Sequence, residues 1–332
     1  MAMVLYAHGL GYYANSGRKF GLLPSSGSDF VTAPELSPLF GRTLARQVEQ
    51  ALQATGTDEI WEFGAGSGVL ALQLLDALGG SVRRYAIVDL SGSLRERQHE
   101  RLAPHAAKLH WADALPDRMQ GVIVGNEVLD AMPVQLLHFD GQAWQERGVV
   151  LHHDALAWGD RPTALFAPFD EPPAAGTVTE VHPQAEAFIA TLAERLTRGA
   201  AFFIDYGFPQ AEYYHPQRTG GTLMCHRAHR VDADPLSDLG LKDITAHVNF
   251  TGMALAGQDA GLSVLGYTSQ ARFLVNCGLA ALMQAADTQT AAAAQMLLME
   301  HEMGELFKVI GFAKGGDFDA LGFSSGDRSH TL

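Results

Sequence analysis

Ile60-Trp61-Glu62-Phe63-Gly64-Ala65-Gly66-Ser67-Gly68 is the stretch that decides the fold. A short apolar run passes into a segment in which every second residue is glycine, and Val69 to Leu78 then repeats apolar residues at helical spacing. This reads as a strand, a glycine turn and a helix. Three further buried-strand runs follow, at Tyr85-Ala86-Ile87-Val88, Gly121-Val122-Ile123-Val124 and Ala200-Ala201-Phe202-Phe203-Ile204, with amphipathic stretches such as Leu94 to Leu102 and Ala185 to Leu196 between them. Strands alternating with helices predict an α/β fold whose parallel sheet is covered on both faces. Ligands of such sheets bind outside the carboxyl ends of the strands, so the residues after each strand are where chemistry is expected.

At the first strand end, Glu62, Gly64, Ala65 and Gly66 are candidate ligand contacts, because glycine lets a ligand approach the backbone and the following helix offers free N–H groups. A tight strand-to-helix turn alone would also use these glycines. Asp89 follows the second strand at the place where dinucleotide-type folds set an acid against ribose hydroxyls, with Leu90 and Ser91 beside it; the same residues would also serve as a helix cap. Asp113 and Ala114, after Trp111, fall where an adenine edge would be read, or form a solvated loop. The fourth strand ends in Gly125-Asn126-Glu127-Val128-Leu129-Asp130-Ala131-Met132-Pro133, polar groups directly after a buried run. Asn126 and Glu127 there can accept hydrogen bonds and orient a nitrogen donor.

Composition narrows the classes of function. The 332 residues are 47% hydrophobic, enough for a large core, and the two cysteines, Cys225 and Cys277, allow neither a disulfide framework nor a multi-cysteine metal site. Cys225, His226 and His229 offer three ligands with no fourth nearby, so no metal is expected. A net charge of −14 repels phosphate backbones, which argues against nucleic acid and favours cationic substrates. No apolar run reaches the length of a membrane span, and the first residues lack the pattern of a signal peptide; a cytoplasmic protein without membrane attachment is expected.

Several segments together resemble one family, the MidA-like class I methyltransferases that include the mitochondrial complex I assembly protein arginine methyltransferase. They are Gly11-Tyr12-Tyr13, Asp29-Phe30-Val31-Thr32-Ala33-Pro34-Glu35, the glycine turn, Asn126 to Pro133, Asp205-Tyr206-Gly207, Gly221-Thr222-Leu223, Asp243 to Val248 and Met303 to Lys308. The glycine turn is common to many methyltransferases, whereas Thr32 to Glu35 and Asn126 to Ala131 are particular to this family. The resemblance implies a Rossmann-like, mostly parallel sheet of seven strands with an N-terminal cap and a helical insertion. It implies S-adenosyl-L-methionine as cofactor, leaving as S-adenosylhomocysteine, with Thr32 and Pro34 folded over it. It also implies methylation of an arginine on a partner protein. Departures are Asp89 where many relatives carry glutamate, Ser28 where they carry glycine, and Asn249 where they carry aspartate. Relatives also have a helix upstream of Gly11, so the chain is expected to begin inside the domain.

On this reading the chain divides into an N-terminal cap on the substrate side (1–54), a cofactor-binding core (55–268), a helical insertion (269–305), a final core strand (306–314) and a flexible tail (315–332), the tail being rich in Gly, Ser and Asp. The Met-rich insertion is expected to pack as core, with a homodimer contact as the alternative. Methyl transfer is an in-line displacement that requires alignment and exclusion of water. A guanidinium acceptor arrives charged and needs carboxylates. Glu127 is expected to bind it and take its proton, Asn126 to orient its nitrogen, and Asp130 or Glu35 to hold its far side. Two other readings use the same glycine turn: a nicotinamide-dependent oxidoreductase, and a non-catalytic assembly factor that binds the cofactor only to hold its shape.

Overall fold

Period-two alternation with apolar residues on both faces builds the sheet. In Leu196–Phe208, Phe202 packs into one hydrophobic cluster and its neighbour Phe203 into the other; Ile60 and Trp61 divide in the same way. The computed structural model describes residues 1–14, 31–89, 92–227 and 230–332. Seven strands make the main path of its central sheet: β1 (Glu59–Phe63), β2 (Arg84–Val88), β3 (Leu109–Trp111), β4 (Met119–Asn126), β5 (Leu196–Phe208), β6 (Ser263–Ser269) and β7 (Phe307–Lys314). Their order is β3-β2-β1-β4-β5-β7-β6, with β7 antiparallel to both neighbours and the other pairings parallel. This is the expected Rossmann-like class I methyltransferase sheet. The short strand Val248–Asn249 adds to it beside the end of β5.

Helices Pro38–Thr55 and Val69–Leu78 cover one face, with the helices that join β6 to β7. Helices Pro183–Arg195 and Phe250–Asp259 cover the other. The long helix starts where the Ser37 side chain accepts the Leu39 N–H and stops at Gly56, whose φ of 60° only glycine adopts readily. Since Leu44, Val48 and Leu52 of this helix lie in the core, the expected cap of residues 1–54 is corrected: from Pro38 onward it is core.

Two insertions rise from the carboxyl side of the sheet. Between β4 and β5 lies a four-stranded antiparallel sheet, including the hairpin of Trp144–His152 with Ala155–Pro162 that turns on His153 and Asp154 at positive φ. Between β5 and β6, Arg230–Asp232, Met224–Arg227 and Asp243–Thr245 form a three-stranded sheet. Helix Ala2–Tyr6 packs on that sheet through a separate small core of Leu5, Tyr12, Cys225 and Ile244. The chain start and an insertion more than two hundred residues away in sequence thus form one lobe facing the strand ends. Among the described residues no helix is long and apolar enough to cross a membrane.

The flexible tail expected over 315–332 is also corrected. Phe323 is buried over Gly266 and Gly311, where a Cβ on either glycine would come within 2.3 and 2.6 Å of the ring. Gly322 N–H donates to Gln47 Oε1 at 2.7 Å, and the tail covers the sheet edge at Tyr267, whose N–H reaches Asp327 Oδ1 at 2.9 Å and whose carbonyl accepts from Arg328 N at 2.7 Å. The glycines permit close packing here, a use that composition does not distinguish from disorder. Phe323→Ala is expected to destabilise the protein by about 3 kcal/mol, read as the shift in its chemical denaturation midpoint; an unchanged midpoint would show the tail to be dispensable.

Candidate active site

The carboxyl ends of β1, β2 and β4 open into a cavity of about 970 Å³. On its β1 side Gly64, Gly66 and Gly68 all take positive φ (65°, 52° and 78°), a path that other residues rarely follow, and Gly68 caps the helix Val69–Leu78. Gly64 also passes so close to Val128 that a Cβ would lie 3.0 Å from its methyl. Glu62 is buried at the end of β1, where the Tyr85 hydroxyl donates to it at 2.8 Å; burial pushes its pKa up to about 8.

Asp89 follows β2 as expected and lines the cavity. Gln98 donates from one Nε2 to both Asp89 Oδ2 (3.0 Å) and the Gly66 carbonyl (2.9 Å), while its Oε1 accepts from Trp111 Nε1 (2.9 Å). This fully buried glutamine ties together three of the strand ends, and the sequence pattern does not mark it as a site residue. Its only signal there is a polar residue on the inward face of Leu94 to Leu102. Asp113 and Ala114 line the cavity, and Asp113 pairs with Arg95 at its exposed edge. Leu90 and Ser91 lie outside the described residues, as do Ser28, Asp29, Phe30 and His229.

The β4 side is acidic and more deeply buried. Asn126 ends β4, and Glu127 follows at φ 54°, an unusual conformation for a residue with a side chain. The loop is held by Asp205 of β5, whose Oδ2 accepts from the N–H groups of Val128, Leu129 and Asp130 at 3.1, 2.9 and 3.2 Å, while its Oδ1 accepts from Tyr206 N–H at 2.9 Å. Burial, with the Asp130 and Glu127 charges next, pushes Asp205 up, and the converging N–H groups oppose that shift. Glu127 accepts from Asn126 Nδ2 at 2.9 Å and from the Ala33 N–H; burial and then the neighbouring Asp130 charge raise its pKa to about 8. Asp130, raised by burial to about 6, takes a hydrogen bond from the Tyr206 hydroxyl.

Opposite this loop stands the lobe built from the chain start. Tyr6 and Tyr13 stack at 5.6 Å, Tyr13 donates to Asp243 Oδ2 at 2.9 Å, and Tyr6 donates to the Ala131 carbonyl at 2.7 Å. His247 packs between Tyr206 and Phe208 and is lowered by burial to about 4, so its ring is neutral. Three residues that line this half of the cavity each carry one buried atom, Asn126 Oδ1, Asp130 Oδ1 and His247 Nδ1, without a partner among the described residues. Sequence reasoning misses Tyr6, Tyr13 and Asp243 as site residues, since nothing local in the sequence brings them together. Thr32 and Pro34 line the cavity. Glu35 is corrected: it is engaged by the Ser67 hydroxyl and by Arg101 at 3.7 Å, on the glycine-turn side, and not held for the far side of an acceptor beside Glu127.

Among the described residues the cavity is lined by seven carboxylates and by neither lysine nor arginine. No group of three or more His, Cys, Asp or Glu among them is placed to hold a metal ion. The donor set instead fits an adenosyl ligand in the glycine-turn half and a cation rich in N–H donors in the other.

Comparison with known proteins agrees with this geometry. Residues 43–268 match the family of S-adenosyl-L-methionine-dependent methyltransferases. A crystal structure of a Burkholderia thailandensis protein bound to S-adenosyl-homocysteine is 53% identical, superposes with a TM-score of 0.96, and the alignment covers 100% of this chain and 90% of that one. The protein arginine methyltransferase NDUFAF7 homolog, mitochondrial, of Caenorhabditis elegans is 25% identical over 81% of this chain and 70% of its own length. Its Mus musculus counterpart is 28% identical over 92% and 78%.

Removing the Asp205 carboxyl tests the loop's support. Asp205→Ala leaves four N–H groups without their acceptor, three of them in the loop, at about 1–3 kcal/mol for an unsatisfied buried donor. The amides of Val128, Leu129 and Asp130 should then exchange with solvent at least about tenfold faster, since about 1.4 kcal/mol is a factor of ten; unaltered exchange would show that the loop holds its shape without them.

Proposed function

The chain belongs to the MidA-like family of S-adenosyl-L-methionine-dependent methyltransferases, and from that premise we propose that it methylates an arginine on a partner protein. One observation carries the choice of acceptor: the half of the cavity away from the glycine turn is lined by carboxylates without a compensating lysine or arginine among the described residues, and holds buried acceptor atoms that lack donors. A guanidinium supplies both the charge and up to five N–H donors in a plane. The curated relatives from nematode and mouse, named as arginine methyltransferases, support the same reading. The nicotinamide-dependent alternative is set aside by the family and by the S-adenosyl-homocysteine bound to the Burkholderia protein.

Glu62, Gly64, Gly66, Asp89 and Asp113, with Thr32 and Pro34, would hold S-adenosylmethionine, which when bound would supply an electrophilic methyl group on a sulfonium. The chain's own residues do the rest. Glu127 binds two N–H groups of the guanidinium and accepts the proton that must leave as the nitrogen is alkylated. Its raised pKa, set by burial, suits proton transfer, because near pH 8 the carboxyl can both take a proton and give it up. A turn of the Asn126 side chain on binding would offer its unpartnered Oδ1 to a further N–H and so aim the nitrogen lone pair, and the Asp130 carboxyl would hold the far edge. Burial of the loop keeps water from competing as acceptor.

Below about 8 Glu127 of the free enzyme is protonated and neutral, so neither the charge nor the proton acceptor that it supplies is in place; as pH rises through that value the carboxylate forms. Methyl transfer measured as kcat/KM should climb with pH to a plateau above about 8. Glu127→Gln should lower it by about 10²-fold or more and abolish that limb, with S-adenosylhomocysteine affinity retained in calorimetry. Asp89→Ala, in contrast, should weaken S-adenosylhomocysteine by about 1 kcal/mol or more. Full activity of Glu127→Gln would remove it as the proton acceptor, and unaltered affinity in Asp89→Ala would remove the ribose assignment.

A further inference from the structure

The outer edge of the acceptor half is apolar. Val231 and Leu306 line the cavity and are nevertheless 64% and 52% exposed. Ala2 lines it from the N-terminal helix, and the next residue, Met3, is 81% exposed. Leu239 and Leu241, both exposed, bracket Gly240, which passes so close to the Leu10 carbonyl that a Cβ there would lie 2.5 Å from it; Leu10 itself is 79% exposed. Single exposed apolar residues are ordinary on a protein surface. Here three separate stretches of chain reach one opening, through Ala2 of the first helix, Val231 of the three-stranded insertion and Leu306, and the first two stretches also meet at the approach of Gly240 to Leu10. Convergence of this kind marks a binding surface.

We propose that this lip docks an extended segment of a partner protein, one that carries apolar side chains on either side of the methylated cation. The inference rests on the acceptor reading above. Continuity identifies the occupant, because Val231 and Leu306 are at once cavity wall and outer surface: a side chain whose cation reaches Glu127 brings its own backbone across them. Charge weighs against the other occupants. A second copy of this chain, at −14, would set like charge against like, and an anionic membrane would be repelled in the same way. A free small-molecule acceptor would fill the cavity and leave the lip uncovered. The segment that fits both features is basic at its tip and apolar beside it.

The test uses the full chain saturated with S-adenosylhomocysteine and three labelled short peptides, followed by fluorescence anisotropy: arginine flanked on both sides by leucines, arginine flanked by serines, and lysine flanked by leucines. The leucine-flanked arginine peptide should bind at least about tenfold more tightly than the serine-flanked one, which corresponds to about 1.4 kcal/mol. Val231→Ser and Leu306→Ser should each shrink that ratio, with S-adenosylhomocysteine affinity and thermal unfolding checked to show that the variants are folded. Equal binding of the two arginine peptides overturns the lip, as does no binding of either, or competition by free L-arginine as effective as that of the leucine-flanked peptide. A preference for leucine flanks without discrimination between arginine and lysine supports the lip and strikes the arginine reading instead.

Discussion

Three N–H groups converge on one oxygen of Asp205, and the acceptor half of the site depends on that convergence. A strand that ends at Asn126 would ordinarily continue or relax into a turn. The carboxyl of the neighbouring strand instead gathers Val128, Leu129 and Asp130 around itself, which forces Glu127 into its positive φ and directs the side chains of Asn126, Glu127 and Asp130 into the cavity. Because the groups involved are buried, losing the acceptor leaves donors with no solvent to turn to. The loop is therefore held in one arrangement before any ligand arrives, which an alignment-limited reaction requires.

The sheet puts this clamp where it is useful. β5 lies next to β4 and runs parallel to it, with Asn126 registered to Ile204, so Asp205 sits one residue beyond its partner and level with the start of the loop. β1 lies on the other side of β4, and its glycine turn meets the same loop at the contact of Gly64 with Val128. Donor and acceptor halves thus share a wall one residue thick. An added side chain at Gly64 would be felt on both sides of it. The two insertions and the chain start leave this arrangement intact because they join the sheet only at strand ends, where loops can lengthen without disturbing the core.

What the sequence makes legible follows the range over which each signal acts. The glycine turn, the buried runs and the polar groups at Asp89, Asn126 and Glu127 are local patterns, and each lies where periodicity places it. Gln98 is not legible, because one polar residue on a helix carries no mark of bridging Asp89, Gly66 and Trp111. Nor are Tyr6, Tyr13 and Asp243, since the hydrogen bond from Tyr13 to Asp243 spans 230 positions; only the fold brings them together. Two misreadings have the same origin. The tail reads as a frayed end because its glycines look the same in composition whether disordered or, as Gly322 is against Phe273, closely packed, and Glu35 falls beside the acceptor on sequence grounds because its nearest partners, Ser67 and Arg101, are distant in sequence.

The acids in the cavity carry a thermodynamic consequence of their own. Glu62 at the end of β1 and Glu127 after β4 are both raised by burial to about 8, and Asp130 to about 6. A carboxyl whose folded pKa lies above its unfolded value contributes stability that is complete below the ordinary carboxylate range and is lost as pH rises through the folded value. The empty protein is thus progressively destabilised from about pH 4 to about pH 8, as the unfolded chain gives up protons that the folded site retains. A cation entering beside Glu127 reverses the balance, because it favours the charged form that burial disfavours. Binding of the acceptor and release of a proton from the site are then linked, and the charge that destabilises the empty fold is the same charge that selects what fills it.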